Sequence, residues 1–184
     1  VGGAWGAPEP LPAPVNGDGN EFYPSLTRDG ALLFTAEREG GLGGEDLWLA
    51  RPTEVGWSEP VNLGPSVNSP GPEFNALIHP DGDWVVFGSA RDGDAGGGDL
   101  YVSFADGGGW TPAVAATPLN SPQLDFCPAL SPDGRWLFFT SHRADTDPFG
   151  AATFSDLAGR LRAPGNGAGD LYWVDAAVLD ALRP

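Results

Sequence analysis

The sequence has no lysine, one cysteine and only two histidines. Its nine basic residues are all arginines, and 25 acidic residues outnumber them to give a net charge near −16. Such a charge would repel a phosphate backbone or an anionic membrane surface, so we do not expect nucleic acid as a partner. The lone Cys127 excludes an internal disulfide framework and a cysteine-rich zinc site. Cations, neutral glycans and basic protein surfaces are the ligands compatible with this composition.

Long apolar runs are absent as well. No segment reaches the roughly 18 consecutive apolar residues of a membrane span, so the sequence predicts no membrane-spanning segment. Glycine and proline are abundant instead, with 28 and 19 residues, beside 41% hydrophobic and 11% aromatic residues. This combination is typical of tight turns between short strands, and 184 residues suffice for a substantial core. The composition therefore predicts an all-β domain.

One pattern recurs along the chain at a spacing of 52 residues. Asp29-Gly30, Asp81-Gly82 and Asp133-Gly134 keep this spacing. Three asparagines and three acidic-aromatic pairs follow the same register: Asn16, Asn68 and Asn120, then Glu21-Phe22, Glu73-Phe74 and Asp125-Phe126. Each period alternates short apolar segments with turn residues, in the manner of four antiparallel strands. Four short strands per repeat predict the blades of a β-propeller.

The repeats divide the chain into about three and a half units within one propeller domain. We expect a stray outer strand in residues 1–16, blades at 17–68 and 69–120, and a third blade at 121–184 that carries an insertion at 144–169. Three blades do not close a ring, because propellers need at least four. We therefore expect blades missing from this sequence, or a second copy of the chain, to complete a ring of six blades.

The repeated segments resemble a known family. "SPDGRWLFFTSHR", "GGDLYVSF" and "GDLYWVDAAVLDALRP" look like WD40-like repeats of the TolB type, and the resemblance extends from Trp5 to Pro184. It implies a β-propeller, commonly six-bladed, from an exported bacterial protein, and hence a periplasmic or extracellular location. Because propellers host many unrelated activities, the resemblance is informative about fold and much less so about function.

The acidic residue that opens each blade is the main candidate for a binding site. Glu21, Glu73 and Asp125 each begin an innermost strand, so we expect them to converge at the mouth of the central channel, together with Asn16, Asn68 and Asn120. Several carboxylates at that place could bind a divalent cation such as Ca²⁺ through oxygen ligands. The alternative is that each carboxylate caps its own strand. Ca²⁺ is the only cofactor that the pattern suggests.

An arginine ends the second predicted strand of each blade and precedes an aspartate that opens the third. We expect these residues to form ion pairs that clamp the two strands: Arg38 with Asp46, Arg91 with Asp99, and Arg143 with Asp170. The two histidines have no nucleophile or carboxylate at a recognisable motif spacing, so no catalytic triad is predicted.

The insertion in the third blade is the segment that departs from the repeat. Thr153 or Ser155 is placed to cap a short helix. One face of that helix is apolar and the other carries two arginines: Phe154, Leu157 and Leu161, then Arg160 and Arg162. The insertion either folds over the third blade or projects as a contact point for a partner.

These observations favour a non-enzymatic binding or scaffold module that mediates protein–protein contacts in an exported or periplasmic assembly, with another protein or a second copy as its partner. One alternative is a carbohydrate-active hydrolase or lyase that uses Glu21, Glu73 and Asp125. Their equivalence in the repeat argues against it, since acid and base carboxylates need unlike environments. A second alternative is a purely structural subunit of a larger complex.

Overall fold

Three antiparallel sheets follow one another along the chain, one for each copy of the repeat. The structure is a computed structural model that describes residues 6–93, 96–144 and 153–184. The all-β propeller architecture predicted from the repeats is confirmed. Among the described residues, no helix is long and apolar enough to cross a membrane.

The first two sheets are four-stranded blades that share one strand order. The first blade consists, from the inside outwards, of β1 (Glu21–Leu26), β2 (Leu32–Ala36), β3 (Asp46–Ala50) and β6 (Val61–Asn62). A small hairpin of β4 (Pro52–Thr53) and β5 (Gly56–Trp57) interrupts it. The second blade consists of β7 (Glu73–Ile78), β8 (Trp84–Ser89), β9 (Asp99–Asp106) and β11 (Val114–Ala115), and β10 (Gly109–Trp110) pairs with the far end of β9.

The third blade has three strands in the described part of the chain. They are β12 (Asp125–Leu130), β13 (Trp136–Ser141) and β14 (Asp170–Asp175). A helix, α1 (Phe154–Arg160), lies in the insertion between β13 and β14. A 3-10 helix (Ala176–Leu182) follows β14 and buries Leu179 in the core between the second and third blades.

Turn chemistry and burial explain why the repeat forms these strands. Gly30, Gly82 and Gly134 follow the repeated turn aspartates and have φ between 75° and 87°, a conformation that costs other residues energy. The second strands that come next, β2 and β8, are buried along their whole length. They are apolar on both faces because each blade packs between neighbours.

Neighbouring blades are joined by two hydrophobic clusters of the same design. The first blade contributes Leu33 and Leu47, and the second contributes Phe87 and Tyr101, around Val67 from the intervening link. The second and third blades are joined likewise by Val86, Leu100, Val102, Leu119, Leu137 and Phe139. Because both interfaces use equivalent positions of the repeat, the packing of one blade on the next follows a single rule.

The N-terminal segment covers the other face of the first blade. Val15 packs with Phe34 and Trp48 in a third cluster, and Trp57 from the side hairpin lies against it. The predicted outer strand is not found in residues 6–16, and residues 1–5 lie outside the described part. A fourth strand forms only where a third strand offers hydrogen bonds, and no described third strand lies beside this segment.

Candidate protein-interaction site

Each blade begins with a carboxylate that an arginine holds in place, and this carboxylate is fully buried in the second and third blades. Glu73 is fully buried, and its oxygens accept hydrogen bonds from the Ser69 N–H at 2.7 Å, the Ser69 hydroxyl at 2.6 Å and the Ser89 hydroxyl at 2.7 Å. Arg91 Nη2 lies 3.2 Å from Glu73 Oε1 and donates to the Val67 carbonyl at 2.7 Å. The Glu73 carboxylate therefore ties the link between blades to the ends of two strands.

The same ion pair recurs in the other two blades. Arg38 Nη2 lies 2.8 Å from Glu21 Oε1, and Arg143 Nη2 lies 3.3 Å from Asp125 Oδ1. Each arginine thus pairs with the carboxylate that opens its own blade, whereas the predicted pairs were Arg38 with Asp46, Arg91 with Asp99 and Arg143 with Asp170. Each arginine lies over the aromatic side chains of its own blade and reaches the first strand, whereas the third-strand aspartates have other roles.

The role of the third-strand aspartate is clearest for Asp46. It accepts the backbone N–H groups of Leu42 and Gly43, at 2.5 and 3.1 Å, and the side-chain amide of Asn62 at 2.9 Å. Asp170 similarly accepts the Gly165 N–H at 2.7 Å. These aspartates close the loop between the second and third strands rather than forming the clamp.

The three opening carboxylates do not form a shared metal site. In the described parts of the chain, no group of three or more histidine, cysteine, aspartate or glutamate side chains could hold a metal ion. Glu21, Glu73 and Asp125 each face the arginine of their own blade, which neutralises them separately. These arginine pairs do not support the predicted Ca²⁺ site at Glu21, Glu73 and Asp125. They also give the three carboxylates the same kind of partner, whereas an acid–base couple needs carboxylates in unlike environments.

Two of the three repeated asparagines, Asn68 and Asn120, clamp the link between blades to the third strand of the preceding blade. Asn68 Oδ1 accepts the Leu47 N–H at 2.9 Å, and Asn68 Nδ2 donates to the Leu47 carbonyl at 3.1 Å. Asn120 does the same for Leu100, at 2.9 Å for both bonds. Asn16 occupies the same place in the repeat, but it is exposed and donates to the Leu11 carbonyl of its own link.

A repeated backbone irregularity lies at the centre, where the first strands meet. Tyr23, Asn75 and Cys127 are 52 residues apart and have φ angles of 52°, 52° and 54°, in the left-handed region. Each sits where the pairing register of its strand shifts. The Tyr23 hydroxyl donates to the Pro128 carbonyl at 3.3 Å, so the first and third blades touch here. The spacing was visible in the sequence, but the unlike side chains concealed the shared conformation.

The outer face of the third blade is uncovered and apolar. Phe138, Leu171 and Trp173 are 40%, 80% and 61% exposed. Their equivalents in the second blade, Val86, Leu100 and Val102, are fully buried under the third blade. The Trp136 ring packs edge-on against Trp173 at 4.5 Å between centroids and widens the surface. We call these four residues, Trp136, Phe138, Leu171 and Trp173, the outer face.

The strand that borders the outer face also lacks the neighbour that its equivalents have. In the first blade β6 pairs with β3, and in the second β11 pairs with β9. No described strand pairs with the outer edge of β14. An open edge beside an exposed apolar face is an arrangement that soluble proteins normally cover.

The insertion presents a smaller apolar surface. Thr153 caps α1 by accepting the Asp156 N–H, as predicted. No residue of the helix is buried, and Phe154 and Leu161 are exposed, so the helix does not bury its apolar side against the third blade. Residues 145–152 of the insertion lie outside the described part.

A cavity of about 550 Å³ near the turns of the first and second blades is a weaker candidate. It is lined by Arg28, Arg51 and Trp110 among others. Both arginines already have acidic partners, since Arg28 pairs with Asp81 and Arg51 with Asp29. The cavity therefore offers no free charge to an ionic ligand through these two arginines.

The blades, their interfaces and the open outer face define the chain as a partial β-propeller. Comparison with solved structures gives similar proteins of the predicted type. The putative TolB from Agrobacterium tumefaciens is 20% identical over 69% of this chain and 40% of its own, with a TM-score of 0.48. TolB from Acinetobacter baumannii is 20% identical over 68% of this chain and 27% of its own, with a TM-score of 0.45.

The tricorn protease is also similar, with 18% identity over 71% of this chain and 12% of its own and a TM-score of 0.44. The chain thus spans 40% or less of the length of these three proteins. No family model and no curated protein sequence matches it. The predicted resemblance to TolB-type propellers is confirmed. The fold itself is defined by the three sheets of the chain.

Proposed function

We propose that the chain is a non-enzymatic protein-binding module, and that it binds through the outer face and the open edge of β14. The observation that carries this proposal is the exposure of Phe138, Leu171 and Trp173 at positions that the repeat buries elsewhere. Large aromatic side chains in an exposed cluster are typical of interface centres. A partner that adds a strand to β14 would satisfy the edge and cover the face together.

The chemistry of the partner follows from the two features. It is a polypeptide with an extended segment for β14 and apolar side chains that alternate towards the outer face. The same positions in the second blade are covered by aliphatic and aromatic groups such as Leu137 and Phe139. A small ligand or a glycan would not pair with the strand edge, so a polypeptide fits this surface better than either.

A photo-crosslinking amino acid at position 171 tests the proposal in the cells that produce the protein. Leu171→benzoylphenylalanine is expected to capture a defined protein, whereas Val55→benzoylphenylalanine, at a position that is 98% exposed, is the matched control. The captured protein is then purified, and its Kd for the chain is measured with and without Trp173→Asp. We expect the Kd to rise at least about tenfold in Trp173→Asp, which corresponds to about 1.4 kcal/mol. Equal capture at both positions, or no capture, would contradict the proposal.

We propose further that the module acts in an exported assembly and that α1 supplies a second contact. The first part rests on the TolB-type resemblance, and the second on the exposure of Phe154 and Leu161. Cell fractionation is expected to find the protein outside the cytoplasm, and a cytoplasmic result contradicts the first part. Phe154→Asp is expected to weaken binding of the captured protein, and an unchanged Kd contradicts the second part.

A further inference from the structure

We infer that the polypeptide bound by the outer face is the N-terminal segment and first blade of a second copy of this chain, so that two copies close a six-bladed ring head to tail. This inference rests on the proposed function and names its partner. It depends on the repeat, because the first blade with its link and the outer face of the third blade carry the two halves of the interface that joins neighbouring blades.

The first matching feature is the asparagine clamp. Asn68 and Asn120 each hold the backbone of the first leucine in the preceding third strand, Leu47 and Leu100. The next leucine in this series is Leu171 of β14, and the described residues place no asparagine beside it. Asn16, the first asparagine of this series, is exposed, and no described third strand lies beside it. Asn16 of one copy and Leu171 of another are therefore the members of one missing clamp.

The second matching feature is the missing outer strand. In the first blade Val61 lies opposite Leu49 in the pairing of β6 with β3. The segment "EPLPAPVN" at 9–16 is 52 residues before "VNLGPSVN" at 61–68, so Glu9 corresponds to Val61. Leu49 corresponds to Trp173, because β3 and β14 pair in the same register with β2 and β13. Residues 9–11 of a second copy would thus extend along β14 with Glu9 opposite Trp173.

Pro10 is compatible with this strand. Its equivalent, Asn62, lies opposite Trp48, and the neighbouring Leu63 N–H donates to the Leu47 carbonyl at 3.1 Å. Hydrogen-bonded and non-bonded pairs alternate along an antiparallel ladder, so the N–H at the Asn62 position points away from the third strand. A proline loses no ladder hydrogen bond at such a position.

The third matching feature is the apolar packing. Phe34 and Trp48 of the first blade occupy the places of Phe87 and Tyr101, which the second blade presents to the first. Val15 takes the place of Val67, since Arg38 donates to the Val15 carbonyl as Arg91 does to that of Val67. The first blade with its link therefore presents to the outer face the type of surface that buries the equivalent positions elsewhere.

The mass of the chain in solution is the first test. We expect sedimentation equilibrium to give twice the 19.1 kDa of one chain, and a monomer at every concentration would overturn the inference. Trp173→Asp and Asn16→Ala each disable one half of the interface, so each is expected to raise the dimer Kd at least about tenfold. Val55→Asp, an equally polar change at an exposed position off the interface, is expected to leave the dimer intact.

Mixing the two disabled variants distinguishes this dimer from other dimers. In a head-to-tail ring, Trp173→Asp and Asn16→Ala chains can form one intact interface with each other, so the mixture is expected to contain dimers at concentrations where each variant alone is monomeric. A dimer in which two outer faces pack on each other would be insensitive to Asn16→Ala, and that result would overturn the inference. Circular dichroism checks that both variants keep their β-structure.

One outcome separates the inference from the proposed function. If the wild-type chain is monomeric while Trp173→Asp still weakens binding of a different captured protein, the outer face is a protein-binding site and the second copy is not its partner. If the chain dimerises without any response to Trp173→Asp, and position 171 captures nothing, both are wrong.

Discussion

Arg91 shows how one side chain can hold several parts of a blade together. Its guanidinium pairs with Glu73, donates to the Val67 carbonyl and lies over the Tyr101 ring with 4.3 Å between the guanidinium carbon and the ring centroid. Arginine suits this place better than lysine because its planar group bonds and stacks at once. The lack of lysine in the sequence is consistent with this use at the blade interfaces.

Replacing Arg91 is expected to destabilise the protein strongly. Arg91→Ala leaves Glu73 buried without its counter-charge, and breaking a buried pair in this way costs about 3 kcal/mol or more. Arg51→Ala is the matched control, because Arg51 pairs with Asp29 at the surface, where side chains are 62% and 71% exposed. The control is expected to cost less than about 1 kcal/mol. Urea unfolding measures both, and equal losses would show that the buried pair has no special role.

Tyr23 is a second residue whose environment has a measurable consequence. Burial raises the pKa of Tyr23, and the nearby Cys127 raises it further. Burial also raises the pKa of Cys127. The folded state therefore binds these protons more tightly than the unfolded state, and the resulting stability is fully present at neutral pH and lost as the pH rises through the folded pKa.

We expect Tyr23→Phe to reduce the alkaline loss of stability. In the Cys127→Ala background, the free energy of unfolding of the Tyr23 protein should fall as the pH rises above about 10, where an unfolded tyrosine ionises. The free energy of unfolding of the Tyr23→Phe protein should fall less steeply over the same pH range, because this protein has no phenol to ionise at position 23. Identical slopes for the two proteins would mean that Tyr23 ionises equally easily in the folded and unfolded states.

Among the elements, the links between blades combine covalent connection with specific hydrogen bonding. Asn68 and Asn16 occupy the same place in two links, yet only Asn68 has a third strand to hold. This pair allows the contribution of a clamp to be measured within one molecule.

Asn68→Ala is expected to lower the free energy of unfolding by about 2 kcal/mol or more. It leaves the N–H of the buried Leu47 without its Asn68 acceptor, whereas the Leu47 carbonyl still accepts the Leu63 N–H, and an unsatisfied buried group costs about 1–3 kcal/mol. Asn16→Ala should change the stability of the monomer by less than about 0.5 kcal/mol, because Asn16 is exposed. Both are measured by urea unfolding in the Trp173→Asp background, which removes self-association. A comparable loss in both would contradict the assignment of the clamp.

The elements also show what the sequence could and could not predict. The spacing of Asp-Gly turns located the blades and their inner strands, and Thr153 marked the start of α1. The partner of each arginine could not be predicted from sequence, because the third-strand aspartate follows it along the chain while the fold places the first-strand carboxylate beside its guanidinium. The left-handed backbone at Asn75 and the exposure of Trp173 depend on contacts between blades, which local patterns do not contain.

For the whole molecule, the dominant electrostatic feature is a net charge of −16, which opposes the proposed association of two copies. Like charges on the two copies oppose association, and the apolar outer face has to overcome this repulsion. Salt shortens the range of the repulsion from about 10 Å at 0.1 M to about 3 Å at 1 M.

Self-association is therefore expected to strengthen with salt. Sedimentation equilibrium of the wild-type chain should give a lower dimer Kd in 1 M sodium chloride than in 0.1 M, because screening reduces the repulsion while apolar burial is retained. Association that weakens with salt would point instead to attraction between opposite charges, for example between acidic residues and the exposed Arg162.

The interchangeable interfaces described above also bear on how such a chain can change in length. An interface that reuses one arginine, one carboxylate and one asparagine per unit accepts an added unit of 52 residues without new contacts, provided that the unit is whole. A gene duplication that copies residues 69–120 intact would place every clamp opposite a matching leucine. A duplication of part of a unit would shift all three groups out of register, so variation in this molecule is confined to whole blades and to segments outside the repeat, such as the insertion that carries α1.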